Sequence, residues 1–163
     1  MKPRKPSDNK IFTLTQLLQI VDSWKSSGKS IAFTNGCFDI LHEGHLFSLN
    51  QAAAEADYLI VGVNADASVK KLKGDTRPVN AELSRARLLA SLVMVDAVII
   101  FAEDTPKEII SHILPDVLVK GGDYKPEEIA GGREVIANGG RVVINPIIPG
   151  FSTTSIIEKM HGK

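Results

Sequence analysis

Short apolar runs alternate with amphipathic segments along almost the whole chain. Five runs are apolar nearly throughout, as is typical of parallel strands covered on both faces. They are residues 30–34, 58–64, 97–101, 116–120 and 141–145. The segments between them have helical periodicity or helix-starting residues. They predict helices over residues 14–24, 44–53, 66–72, 81–95 and 126–138, another that opens at Pro106, and a last one over 152–160.

This alternation predicts one α/β domain with a Rossmann-like fold, a parallel five-stranded sheet with helices on both faces. A chain of 163 residues suits a single domain. We take residues 1–10 as a basic flexible tail and 11–163 as the domain. The fingerprint G-x-G-x-x-G is missing from the sequence, so the pattern gives no support to a nicotinamide-dependent enzyme.

Composition narrows the class of protein. Lysine plus arginine and aspartate plus glutamate number 19 each, and this zero net charge argues against a general nucleic-acid binder. The single cysteine, Cys37, excludes an internal disulfide and suits a reducing compartment. The start lacks the apolar core of a secretory signal, and the most apolar stretch, 88–102, is too short to span a bilayer. We therefore expect a cytoplasmic protein with no membrane or nucleic-acid partner. A homo-oligomer is left open.

Residues 35–45 carry the candidate chemistry, because they join the first predicted strand to the helix that follows it. Ligands of open α/β sheets bind at the carboxyl ends of strands, and the free N–H groups of a helix start favour an anion. Gly44 lets a ligand approach the backbone, and His42 and His45 add donors or cations beside it. This stretch predicts phosphate binding with side chains able to stabilise developing charge.

Other interpretations of these residues exist. Two histidines three apart can share a metal, but only Asp39 and Glu43 lie near them in sequence, and zinc usually takes three or four protein ligands. We therefore predict no protein-bound metal. Backbone groups alone could also satisfy the two rings. Cys37 could be a nucleophile, but phosphoryl-type transfer needs little covalent help from the protein, and a small cysteine is an ordinary core residue.

Several stretches resemble a known family. His42-Glu43-Gly44-His45 resembles the HxGH signature of the nucleotidylyltransferases, and residues 36–42 resemble the lead-in of their cytidylyltransferase-like branch. Residues 33–39, 61–64 and 119–124 are similar to the heptose 1-phosphate adenylyltransferases, in many bacteria the second half of a fusion with a sugar kinase. The likeness runs from about residue 11 to residue 160.

The stretch before the last helix resembles the family's second signature, I-S-S/T-T-x-x-R/K. It reads Ser152-Thr153-Thr154, and Ile157 stands where many members place a basic residue. Ser and Thr are also preferred helix caps, so capping and phosphate binding both suit these hydroxyls.

The resemblance implies roles for individual residues. The catalytic group would be His42, His45 and Lys73. The nucleotide would be bound by Thr34, Asn35, Gly36, Phe38, Asp39, Gly44, Lys120, Gly121, Asp123, Ser152, Thr153 and Thr154. Asn64 and Arg85 would contact the second substrate. Asp123 would order either the nucleotide or a magnesium ion.

The resemblance further implies the reaction. ATP, with Mg²⁺ on its phosphates, and a sugar 1-phosphate would give ADP-heptose, a precursor of the lipopolysaccharide core, and pyrophosphate. Within the same class, a CTP-dependent cytidylyltransferase for glycerol 3-phosphate or ethanolamine phosphate, or an FAD synthetase, stays open. From another class, a nucleotide-binding regulatory module stays open as well.

Overall fold

A computed structural model describes residues 7–122 and 124–162. Five strands form one sheet in which every pairing is parallel. They are β1 (Ile31–Gly36), β2 (Tyr58–Asn64), β3 (Ala97–Phe101), β4 (Val117–Gly121) and β5 (Arg141–Asn145). The helices are α1 (Leu14–Ser26), α2 (Glu43–Ala53), α3 (Asp66–Lys73), α4 (Glu82–Ala90), α5 (Lys107–Ile113), α6 (Gly132–Ala137) and α7 (Thr153–Met160). None of the helices within these residues combines the length and apolar character needed to cross a membrane.

The strand order in the sheet is β3-β2-β1-β4-β5, so successive strands are added first on one side of β1 and then on the other. The chain builds outward from β1 through β2 to β3, then returns to the other side of β1 and continues from β4 to β5. At such a reversal the connections leave in opposite directions, which opens a crevice at the carboxyl ends of the two central strands. The loop that follows β1 therefore lies at the position where ligands of this architecture bind.

Each face of the sheet has its own apolar core. Phe33 and Ile60 point to the face covered by α1, α5 and α6. Val61 and Val98 point to the opposite face, covered by α2 and α4. Because side chains alternate along a strand, both sides of every central strand are buried, which explains why the strands are apolar throughout. The predicted Rossmann-like sheet with helices on both faces is confirmed.

The domain begins earlier than residue 11. Ser7–Lys10, which we assigned to a flexible tail, form a 3₁₀ helix against α4. Asp8 pairs with Arg87 at 2.8 Å, and Lys10 Nζ donates to the Val95 carbonyl at 2.6 Å. The ordered domain therefore includes these four residues, and the rest of the expected tail, residues 1–6, lies outside the described residues.

The helix predicted over residues 126–138 is interrupted. Pro126–Glu128 form a 3₁₀ turn, and α6 starts only at Gly132, after Gly131 adopts φ +82°. A left-handed residue cannot continue a right-handed helix, and this position also requires a glycine, since a Cβ there would lie 2.6 Å from Cγ2 of Ile110. The helix predicted over residues 81–95 also ends early, at Ala90.

Substitutions of Gly139 and Gly131 distinguish the cost of backbone strain from the cost of a packing clash. Gly139 has φ +86°, and a Cβ there would meet no atom within 4 Å. We expect Gly139→Ala to lose about 1–2 kcal/mol of unfolding free energy from its left-handed backbone. Gly131→Ala should lose a further 1–3 kcal/mol, roughly, because Ile110 must move. Urea denaturation of both variants measures the difference, and equal losses would contradict this account of the break.

Candidate active site

The two histidines lie side by side at the start of α2. His42 is the N-cap residue in an extended conformation, with φ −142° and no capping bond from its side chain. His45 sits in the first turn, and the two rings stack with centroids 3.8 Å apart and planes 23° apart. The pair therefore lies at the carboxyl end of β1, beside the crevice between β1 and β4, where the sequence pattern placed it.

Gly44 makes this stacking compatible with the helix. A Cβ at residue 44 would lie 3.1 Å from Cε1 and Nδ1 of His42 and 3.0 Å from Cβ of Phe151. A side chain at this position would require the His42 ring or Phe151 to shift by a few tenths of an ångström. The space over its backbone, which we expected a ligand to use, is partly taken by the His42 ring and by Phe151.

Burial keeps both imidazoles neutral. It lowers the pKa of His42, and burial together with the adjacent His42 lowers the pKa of His45 to about 4. Nδ1 of each ring is enclosed and has no hydrogen-bond partner within the described part of the chain. A proton on Nδ1 of His42 would be a buried donor without an acceptor, so we assign the proton of that ring to Nε2. His42 can then donate from Nε2 to a ligand, whereas a hydrogen bond to the Ile40 backbone partly offsets the lowering of the His45 pKa.

Phe38 supports the pair from the β1–α2 loop. Its backbone is left-handed, with φ +49°, a conformation that costs a residue with a side chain about 1–3 kcal/mol. The ring packs against His45, with centroids 5.3 Å apart, and covers Gly36. The Phe38 side chain is thus buried between His45 and Gly36.

The Asp39 carboxylate is occupied by hydrogen bonds from other residues of the chain. Its buried carboxylate accepts Arg77 Nε at 2.6 Å and the backbone N–H groups of Val79 and Asn80 at 2.9 Å. Burial opposes ionisation, yet these donors hold the pKa of Asp39 below its usual range. The carboxylate thus ties the loop before α4 to the loop before α2, so its part in nucleotide binding would be indirect.

Asn80 precedes α4 but does not cap it. Ala81 is the N-cap residue, without a capping bond from its side chain. The Asn80 amide instead donates to the Asp39 carbonyl at 2.7 Å. The same two loops are therefore joined a second time.

Arg85 was predicted to contact substrate, and the structure corrects this. Its side chain is fully buried, and its guanidinium donates to the Cys37 carbonyl at 2.6 Å, the Asn80 carbonyl at 2.9 Å and Asp66 Oδ1 at 2.8 Å. A buried arginine with three partners in its own chain offers no free face to a ligand. It holds the β1–α2 loop against the start of α3.

Two lysines approach this loop from opposite sides. Lys73 ends α3 and is exposed, and unlike Lys70 and Lys71 it forms no ion pair within the described residues. Lys120 lies near the end of β4, where burial lowers its pKa. Cys37 lies between them. Burial raises the pKa of its thiol and the charge of Lys73 opposes that rise, so no thiolate nucleophile is indicated.

The remaining nucleotide residues line the same edge of the sheet. Thr34, Asn35 and Gly36 end β1, and Gly121 ends β4, where an added Cβ would make only an ordinary contact with Ser48 Oγ at 3.8 Å. Asn64, at the end of β2, is buried and donates from Nδ2 to Ser68 Oγ at 3.0 Å. Asp123 lies outside the described residues.

The start of α7 reaches this edge as well. Ser152 is its N-cap and accepts the Ser155 N–H at 3.0 Å, so the predicted capping is confirmed. Thr153 Oγ1 donates to the Ile40 carbonyl at 3.3 Å, which joins α7 to the β1–α2 loop, while Thr154 is exposed. Within the residues the structure describes, no three His, Cys, Asp or Glu side chains form a metal-binding group.

Two residues of the site were not identified from the sequence. Arg77 binds Asp39, and Phe151 packs on His42 with ring centroids 6.4 Å apart. Arg77 lies in a polar loop without periodicity, so no pattern marked it. Phe151 could have been noticed as a lone aromatic residue between a glycine and a helix cap.

Comparisons with known proteins agree with this geometry. Residues 33–159 match the family described as cytidylyltransferase-like. The bifunctional protein HldE of Rhodospirillum rubrum is 52% identical over 155 residues, 95% of this chain and 31% of that protein. The HldE of Vibrio cholerae is 52% identical over 158 residues, 97% of this chain and 33% of that protein. The chain thus spans about a third of the length of these curated relatives.

Two solved structures are similar in fold. The lipopolysaccharide core biosynthesis protein from Thermoplasma volcanium has a TM-score of 0.61 and 28% identity, over 74% of this chain and 98% of that one. The pantoate-beta-alanine ligase from Francisella tularensis has a TM-score of 0.59 and 14% identity, over 94% of this chain and 78% of that one. The second likeness concerns the fold alone.

The corrected role of Arg85 gives one prediction. Arg85→Met removes a buried cation whose three acceptors then lose their donor, so we expect a loss of about 3–5 kcal/mol in unfolding free energy. Arg87→Met, which breaks an exposed pair with Asp8, should lose under about 1 kcal/mol. Chemical denaturation measures both. A fully stable Arg85→Met protein with only a raised KM for the second substrate would restore the substrate-binding role.

The depressed pKa of His45 gives a second prediction. In the unfolded chain an ordinary histidine titrates near pH 6.5, roughly, whereas folded His45 titrates near pH 4. Between these values the unfolded state binds the extra proton, so the stability of the protein should fall as the pH drops from about 6.5 towards 4. His45→Gln should lose that part of the dependence. NMR titration of the ring and pH-dependent unfolding test it, and a His45 midpoint near 6.5 would contradict the burial.

Proposed function

Because the chain belongs to the cytidylyltransferase-like family, and is therefore a nucleotidyltransferase, we propose that it transfers AMP from ATP to D-glycero-β-D-manno-heptose 1-phosphate. The observation that carries the proposal is the stacked His42–His45 pair at the start of α2, beside the crevice of the sheet. The identity of the sugar is supported by the similarity of residues 33–39, 61–64 and 119–124 to the heptose 1-phosphate adenylyltransferases, and by the HldE relatives.

The reaction is a direct displacement. A phosphate oxygen of the sugar 1-phosphate attacks the α-phosphorus of ATP in line and forms the new P–O bond. The bond to the oxygen that bridges the α- and β-phosphorus breaks, and pyrophosphate leaves with the electron pair. No covalent enzyme intermediate is needed, so catalysis consists of positioning and charge stabilisation.

The two histidines would stabilise charge where it grows. Their ring N–H groups would donate to an α-phosphate oxygen and to the departing bridge oxygen. Neutral donors that are already in place need no rearrangement during reaction, and their effect is larger in a site that excludes water. Positive charge for the phosphates would come from Lys73, the lysine of its helix that stays unpaired within the described residues.

The β- and γ-phosphates would lie at the start of α7. Its free N–H groups, with the hydroxyls of Ser152 and Thr154, are suited to an anion. Thr153 already donates to Ile40, so its contribution would be to hold α7 against the β1–α2 loop. Gly121 and Lys120 would form the wall for the base.

Magnesium would enter with the nucleotide. Mg²⁺ usually keeps several waters and is held in large part by substrate phosphates, which suits a site whose described residues form no acidic cluster. When bound, it neutralises phosphate charge. Lys73 and the two histidines would then act on the oxygens that the metal leaves free.

A donor and acceptor panel tests the proposal. ATP with D-glycero-β-D-manno-heptose 1-phosphate should release pyrophosphate with kcat/KM at least about 10⁴ M⁻¹s⁻¹, the lower end of ordinary enzymes. CTP with glycerol 3-phosphate or ethanolamine phosphate, and ATP with FMN, serve as the matched alternatives. A higher kcat/KM for any alternative would overturn the heptose assignment. Nucleotide binding without pyrophosphate release from any pair would favour the regulatory module.

A further inference from the structure

Four aromatic rings form a continuous column through the site. Phe38 packs on His45 at 5.3 Å, His45 stacks on His42 at 3.8 Å, and His42 packs on Phe151 at 6.4 Å between centroids. The Phe151 and His42 planes differ by 23°, a near-parallel arrangement within the range of aromatic pairs. His42 is therefore flanked by two rings that come from different parts of the chain.

We propose that Phe151 is a positioning residue for His42, which holds the imidazole so that Nε2 faces the transferred phosphate while Nδ1 stays covered. The part of this proposal that concerns the phosphate rests on the proposed function, whereas the packing of Phe151 on His42 does not. Phe151 would affect catalysis through His42, without touching the reacting atoms itself.

The backbone on both sides of Phe151 fixes its place. Gly150 turns the chain with φ +89°, and Ser152 begins α7 as its cap. The Thr153 hydroxyl anchors the first turn of α7 to Ile40. On the other side of the contact, Gly44 brings the Phe151 Cβ and the His42 ring close to the same turn of α2. The position of Phe151 over His42 is thus set by four local features.

Ordinary core packing does not account for Phe151. Its side chain is 39% exposed, and it belongs to neither apolar core. This partly exposed apolar ring lies beside His42, and its Cβ lies close to the backbone of Gly44. The apolar covering also fits the unpartnered Nδ1 of His42, since water that could reach that atom would supply a partner.

The electrostatic surroundings of His42 make the test specific. The segment 146–157 carries no charged side chain, so loss of the Phe151 ring changes packing and hydration without removing a charge. The titratable neighbours on α2 are His45 and Glu43, and the β1–α2 loop contributes Asp39 and Cys37. All four are retained in a Phe151 variant. A shift in the titration of His42 would therefore report the covering itself.

The experiment compares Phe151→Ala, Phe151→Leu and Phe151→Tyr with wild type. Phe151→Ala should raise the NMR titration midpoint of His42 towards an ordinary histidine and lower kcat about tenfold, the upper end of what one aromatic pair contributes. The KM for ATP should stay within about twofold, because the lost contact acts on a transition-state donor. Phe151→Leu should give an intermediate His42 midpoint and kcat, and Phe151→Tyr should retain the wild-type values of both. Met160→Ala, a 78% exposed position on α7, is the control for changes in that helix.

Three results would overturn the proposal. An unchanged His42 titration in folded Phe151→Ala would show that the ring does not control its surroundings. A raised KM with unchanged kcat would make Phe151 a ligand contact, and a raised kcat with a lowered KM would make it an obstruction over Gly44. If no nucleotide is turned over at all, the proposed function fails, while the titration still decides whether Phe151 governs His42.

Discussion

The buried guanidinium of Arg85 is the interaction on which the rest of the site depends. It donates to the loop after β1, to the loop before α4 and to the first turn of α3. Asp39 then joins the first two of these again through Arg77, Val79 and Asn80. A buried charge is tolerated only when such partners surround it, so the three segments can hardly move apart without exposing or stranding it. These bonds hold the β1–α2 loop, which carries Phe38 and leads into the two histidines, in one position.

Because the loop holds the two imidazoles close together, their charge states depend on each other. Two imidazoles 3.8 Å apart cannot easily both carry charge, and burial already disfavours the charged forms. The site therefore presents two neutral donors rather than two fixed cations, and the positive charge stands further off on Lys73 and Lys120.

The sequence predicted the parallel sheet and the position of the histidines, and the reasons are physical. Strands buried on both faces are apolar throughout, so the parallel sheet followed from the runs, and the strand–helix junction located the histidines. The fine structure depends on contacts between distant residues. One partner of Arg85 is the Cys37 backbone carbonyl, 48 positions away, a contact that has no signature in the sequence. Gly131 interrupts a helical pattern with a left-handed backbone where Ile110 leaves no room for a side chain, and Phe151 meets His42 only through tertiary packing.

Single-turnover kinetics of His42→Gln and His45→Gln test the central claim most directly. Each substitution removes one donor aimed at charge that grows during transfer, which should slow AMP transfer by about 10²–10³-fold with ATP affinity nearly unchanged. Folding of each variant is checked by its unfolding midpoint. Two folded variants that transfer AMP at the wild-type rate would contradict the claim that the stacked histidines stabilise the transition state.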